Sequence, residues 1–188
     1  MINIIILFVL FFVLPYVLIL YNLRRVVPAN EAHLIQYRYG FKYYGKGLIH
    51  GDTYLEWPGW IPFLGIEVAK FNLDVFTIVF KKYTTYDSLK VNLIIDLNVY
   101  FVVKDIELIS NISFDMNELE KYLQRMIELI LQKVFSSKSI LKVDITDFFE
   151  KSNFKLDIKE KLYKEILSSI KNVGVELKKL ELIDINLS

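Results

Sequence analysis

The odd-numbered positions Leu89, Val91, Leu93, Ile95, Leu97, Val99, Phe101 and Val103 are all apolar, and Lys90, Asn92, Asp96 and Asn98 alternate with them. A period of two puts the two sets on opposite faces of a strand, so this pattern predicts a long, half-buried strand. Downstream the period lengthens. Leu119, Leu123, Met126, Ile127, Ile130 and Val134 recur at helical spacing, and Asp115 with Glu118 ahead of them fits a capping box. A second helix is predicted over about Asp157 to Lys171, with Leu162, Ile166 and Ile170 on one face and Gly174 as its stop. The chain then reads as extended again through "VELKKLELIDINL", where a slip of phase near Lys179 predicts a bulge.

Upstream, "EAHLIQYRY" is rich in strand formers, "GFKYYGKG" reads as a glycine-marked turn region, and "LIHGDTYLEW" runs back, which together predict a hairpin. "IEVAKF" and "VFTIVF" are two further short strands. Strands, then helices, then a strand predict an α+β fold, a mainly antiparallel sheet with helices packed on one side.

The N-terminus follows neither period. Ile4 to Leu23 is a nearly unbroken run of apolar residues with no charge, followed at once by Arg24 and Arg25. Twenty residues at 1.5 Å each reach roughly 30 Å, the thickness of a bilayer's hydrocarbon core. A cleaved signal peptide would carry a basic start and a small-residue cleavage site, and neither is visible. The pattern therefore predicts residues 1–24 as a retained membrane anchor and residues 25–188 as one domain, strand-rich to about residue 105 and helix–helix–strand beyond. Pro15 leaves two geometries open, a kinked span or a re-entrant hairpin. The juxtamembrane basic pair Arg24 and Arg25 places the domain on the cytoplasmic face of the cell membrane in either case.

Composition narrows the function. A net charge of +1 over 188 residues argues against a nucleic-acid partner. The absence of cysteine excludes disulfides, thiolate metal sites and cysteine nucleophiles. Gly40 to Lys46 matches the start of a phosphate-binding loop, but Gly47 stands where the metal-binding Ser or Thr belongs, and a strand follows instead of a helix. Ser139-Ile-Leu-Lys142 lacks the companion motifs of the penicillin-binding enzymes. His33 and His50 read as ordinary strand histidines, and Asp144, Asp147 and Glu150 as carboxylates complementing a helix dipole. No catalytic residue, metal site or cofactor is expected, and the chain is not expected to be an enzyme.

One stretch resists these rules. "YLEWPGWIPFLGI", Tyr54 to Ile66, holds both tryptophans and two of the four prolines. The prolines predict a loop, yet its side chains suit water poorly. Few residues separate Leu23 from the first strand, and a hairpin returns the chain to where it began. The loop is therefore expected beside the membrane, with Trp57, Trp60, Ile61, Phe63 and Leu64 as an insertion loop. Tryptophan favours the headgroup level.

"VVPANEAHLIQ", "YLEWPGWIPFLGI", "YDSLKVNLIIDLNVYFVVKD" and "VGVELKKLELIDINL" occur in this order. Together they resemble the flotillin branch of the stomatin, prohibitin and flotillin (SPFH or band 7) superfamily. The resemblance implies a non-enzymatic scaffold on the cytoplasmic face that associates laterally into homo-oligomers and organises membrane microdomains. The partners it implies are the lipid bilayer and a membrane protein. An adaptor that regulates a membrane protease or channel is the alternative. Two features depart from the family. Ile2, the lack of cysteine and an apolar anchor stand where animal flotillins are acylated, and no Glu- and Ala-rich coiled coil follows before Ser188.

Overall fold

A computed structural model describes residues 9–45, 52–137 and 148–187. They divide into two compact units, Met1–Asn72 and Leu73–Ser188.

The first unit begins with a π-helical turn, Val9–Val13, that runs into helix α1, Leu14–Leu23. Pro15 sits in the first turn of α1, where its missing N–H costs nothing, and the wider π-turn lies just before it. No helix among the described residues is long and apolar enough to cross a membrane. The first eight positions of the proposed anchor lie outside the described residues.

At Arg24 the backbone turns extended and continues as β1, Arg24–Val26. The remaining strands of this unit are β2 (Glu31–Tyr37), β3 (Gly40–Gly45), β4 (Thr53–Leu55) and β5 (Glu67–Asn72). They form two antiparallel sheets, β1-β4 and β3-β2-β5. The predicted hairpin is thus corrected. β2 pairs with the segment read as a turn, Ala32 opposite Gly45 and Tyr37 opposite Gly40, while Thr53–Leu55 pairs with β1. The glycines that suggested a turn bracket a strand instead. Gly45 has φ +137°, and a Cβ there would lie 2.9 Å from the Glu31 carbonyl, so glycine is needed for close strand approach. Val27, Ile35, Tyr44, Tyr54 and Ile66 form the core of this unit.

The second unit is built on β7, Asn92–Val103, between β6 (Phe76–Tyr86) and β8 (Val175–Leu187), all antiparallel. The alternation holds from Leu93 onward. Leu93, Ile95, Leu97, Val99, Phe101 and Val103 are buried, whereas the even positions are only half-buried. Leu89 falls outside the strand, in a turn shaped by Asp87. The Asp87 carboxylate accepts from the N–H groups of Leu89 and Val91, both at 2.8 Å, while Lys90 takes φ +64°. The Tyr-Asp pair of the sequence motif is therefore a turn device.

A short helix α2, Ile106–Ser110, leads to α3, Met116–Ser136, and α4, Phe148–Ile170. Asp115 caps α3 by accepting from Glu118 N–H at 2.8 Å, and Glu118 reaches back to Phe114 N–H at 3.1 Å. That is the capping-box reciprocity moved out by one residue. α3 packs on β6, α4 on β8, and the two helices on each other. α4 starts about nine residues before the position that apolar spacing alone predicted. Gly174 ends the connection to β8 at φ +86°, where a Cβ would sit 2.2 Å from the Asp105 carbonyl. The predicted bulge near Lys179 is present, since the β7–β8 register shifts between Tyr100 and Phe101 and again between Asp96 and Leu97. Ser139, Lys142, Asp144, Asp147, His50 and the glycine–lysine pair after Gly45 lie outside the described residues.

Candidate functional site

Glu56 N–H donates to the Leu23 carbonyl at 2.8 Å, so the aromatic loop leaves the β1-β4 ladder at the very end of α1. Arg25 Nε donates to the Glu56 carboxylate across the same ladder. Arg24, its neighbour, is exposed. The loop then closes on itself. Ile66 N–H meets the Trp57 carbonyl at 3.2 Å, Ile61 N–H meets Pro58, and Gly65 N–H meets Ile61, both at 2.9 Å. A Cβ on Gly65 would lie 2.5 Å from the Gly59 carbonyl, so the neck closes only because this residue is glycine.

The side chains predicted for insertion divide. Trp60 is 82% exposed, Phe63 is 75% exposed and Leu64 is exposed as well. Trp57 and Ile61 are half-buried at the neck and the first turn. Phe63 adopts φ +67°, a left-handed conformation uncommon for an aromatic residue, which turns the chain at the loop's tip.

Arg38 and Tyr39, at the turn between β2 and β3, belong to the same region. The Arg38 guanidinium lies 4.7 Å from the Phe63 ring centre and 5.7 Å from that of Tyr39. Tyr39 is 91% exposed. Sequence reading missed both residues, since only the β2–β5 register, with Gln36 opposite Glu67, carries the end of the loop to that turn.

His33 is the second addition. It is buried, its Nδ1 is 3.0 Å from the Tyr54 hydroxyl, and its Nε2 is 2.9 Å from the Glu31 carboxylate. A carboxylate oxygen accepts, so Nε2 donates to Glu31, while Nδ1 shares a hydrogen bond with the Tyr54 hydroxyl. Burial foremost, with the Glu56 carboxylate adding to it, pushes the Tyr54 phenol up to about 12. His33 thereby fixes β4, the strand from which the loop departs. It is a positioning residue, and an alternating strand pattern gives no sign of that.

Chemically the region offers aromatic and aliphatic surface with arginines at its margin. Among the described residues no group of three or more His, Asp or Glu side chains is placed to hold a metal ion.

The profile of the SPFH domain / Band 7 family matches residues 25–188, and the chain belongs to that family. SPFH-domain proteins are commonly membrane scaffolds, and they are often membrane-associated. A comparison with curated proteins finds no match.

Proposed function

We propose that this chain is a non-enzymatic, flotillin-like membrane scaffold that associates laterally with copies of itself and organises a membrane microdomain. Residues 1–24 anchor it, Arg24 and Arg25 hold the domain at the cytoplasmic face, and the Trp57–Ile66 loop enters the same leaflet. The observation that carries this reading is the fastening of an exposed aromatic loop to the end of α1 through Glu56 and Leu23. The sequence from Ile4 to Leu23 supplies the apolar length.

Burying Trp60, Phe63 and Leu64 in lipid gains about 1.5–3 kcal/mol for each side chain. That is weak for a free protein. For a tethered loop the step is intramolecular, and a weak preference is sufficient.

The test is tryptophan fluorescence of the full chain in bilayers with quenchers at known depths, using Trp57→Phe to isolate Trp60. Trp60 is expected to quench most strongly from the headgroup and upper acyl positions. Quenching of Trp60 without depth preference, equal to that by a water-soluble quencher, would overturn the insertion reading.

A further inference from the structure

In the second unit α3 lies over β6 and α4 over β8, and these strands are the two edges of the sheet. One flank of α4 is joined to α3, by Lys133 to Glu165 at 2.8 Å and Lys161 to Ser137 at 2.7 Å. Ile158, Leu162, Ile166 and Ile170 face the interior. On the opposite flank Leu156 is 58% exposed and Leu167 47% exposed, with Tyr163 and Glu160 exposed between them. Positions 156, 160, 163 and 167 follow the four–three–four spacing of a coiled-coil seam, so they line one stripe of the helix.

We propose that this flank of α4 docks against the same flank of a second copy, with the two helices antiparallel. The proposal rests on the self-association put forward above and names its surface. Chemistry selects both partner and direction. With Leu156 set opposite the second copy's Leu167, the seam spacing puts Glu160 opposite Tyr163, and the two-fold axis repeats both pairs. Leucine layers close the two ends, and a carboxylate meets a phenol hydroxyl twice in the middle. The same register brings Asp157 alongside the other copy's Lys164. Parallel helices would instead set Glu160 against Glu160, a like-charge layer in the seam.

The surface has hollows to receive these side chains. Leu156, Lys159, Glu160, Tyr163 and Lys164 line one of about 290 Å³. A second, of about 520 Å³, lies around Leu167 and Ser168 beside Val175 and Glu176 at the start of β8. The neighbouring sheet edge is less suited to pairing. The register shifts leave Lys178 and Ile183 of β8 without partners on β7, and such bulges discourage strand addition. The apolar row is short, so association is weak in dilute solution and strengthens when the copies share a membrane.

The chain has no cysteine, so introduced thiols are the only ones present. Full-length Leu156→Cys and Leu167→Cys variants would be reconstituted into phosphatidylcholine–phosphatidylglycerol vesicles, separately and mixed, and oxidised mildly. The mixture should give several-fold more disulfide-linked dimer than either variant alone. Lys164→Glu in both chains should reduce that yield, and adding Asp157→Lys should restore it. A yield from the mixture no greater than from single variants, or than from Leu129→Cys on α3, would overturn the proposal. Sizing the unsubstituted protein from the same vesicles separates two failures. An oligomer without the mixed cross-link refutes this surface alone, whereas a monomer refutes the self-association as well.

Discussion

β7 and the Trp57–Ile66 loop are both dense in large apolar side chains, yet they place them in opposite environments. In β7 every second side chain enters the interior beneath α3 and α4, and the strand's polar residues take the other face. In the loop, Trp60, Phe63 and Leu64 point outward, while the backbone spends its hydrogen bonds closing the neck. Removing an apolar side chain from β7 leaves a cavity. Removing one from the loop should leave the fold intact and take away chiefly what the loop can touch. The difference separates residues that hold the protein together from residues available to a partner phase.

The comparison breaks most sharply at Phe101, which is fully buried and packs 5.8 Å from Phe76. Phe101→Ala should lower unfolding stability by about 3–5 kcal/mol, measured by denaturant titration. The matching change in the loop, Trp60→Ala with Phe63→Ala, should leave the thermal midpoint nearly unchanged. The insertion equilibrium of the tethered loop, read by depth-dependent quenching of Trp57, should weaken by roughly tenfold or more for each ring, since each removes about 1.5–3 kcal/mol of transfer. Similar losses of stability at both sites would erase the distinction.

Gly174→Ala is expected to fall between these outcomes in stability, at about 1–3 kcal/mol, because it adds a clash to a positive φ. Its effect on vesicle binding should be small. The smallest effect belongs to Glu181. Its hydrogen bond from Lys179, with a second from Tyr100, holds its carboxyl below the usual glutamate value of 4.5. A depressed folded value means that stability is present above the ordinary value and is lost as pH falls through the lower one. Glu181→Gln should therefore flatten the acid limb of the melting curve below that value, by little, since the pair is exposed.

Period carried most of what could be read in advance. The alternation of β7 and the spacing of Leu119 to Val134 report burial directly, because each is a local consequence of backbone geometry. The reading failed where burial and pairing part company. Phe41, Tyr43 and Tyr44 sit between glycines that signal a turn, and only the two-residue turn at Arg38–Tyr39 shows them to be a strand. At the site, Pro58 and Pro62 announced the loop, and the fastening of Glu56 to Leu23 matches the expected closeness to the N-terminal helix. Its particular route, β4 on β1, did not follow from the sequence. Nor did Arg38, Tyr39 or His33, whose roles depend on register between strands distant along the chain.

On the anchored reading proposed above, the bond between Glu56 and Leu23 would make the loop and α1 a single gauge of thickness. The β1-β4 ladder and the Arg25–Glu56 contact are too short to stretch by a helical turn, so the loop cannot change depth without the helix end moving too. In a bilayer thicker than the apolar run, lipid would draw the helix end inward to relieve mismatch, and the tryptophan loop would follow it. In a thinner one both would be pushed toward water. Two otherwise separate preferences, helix length and ring depth, would thereby be added in one coordinate, and their sum would select a narrower range of membrane thickness than either alone.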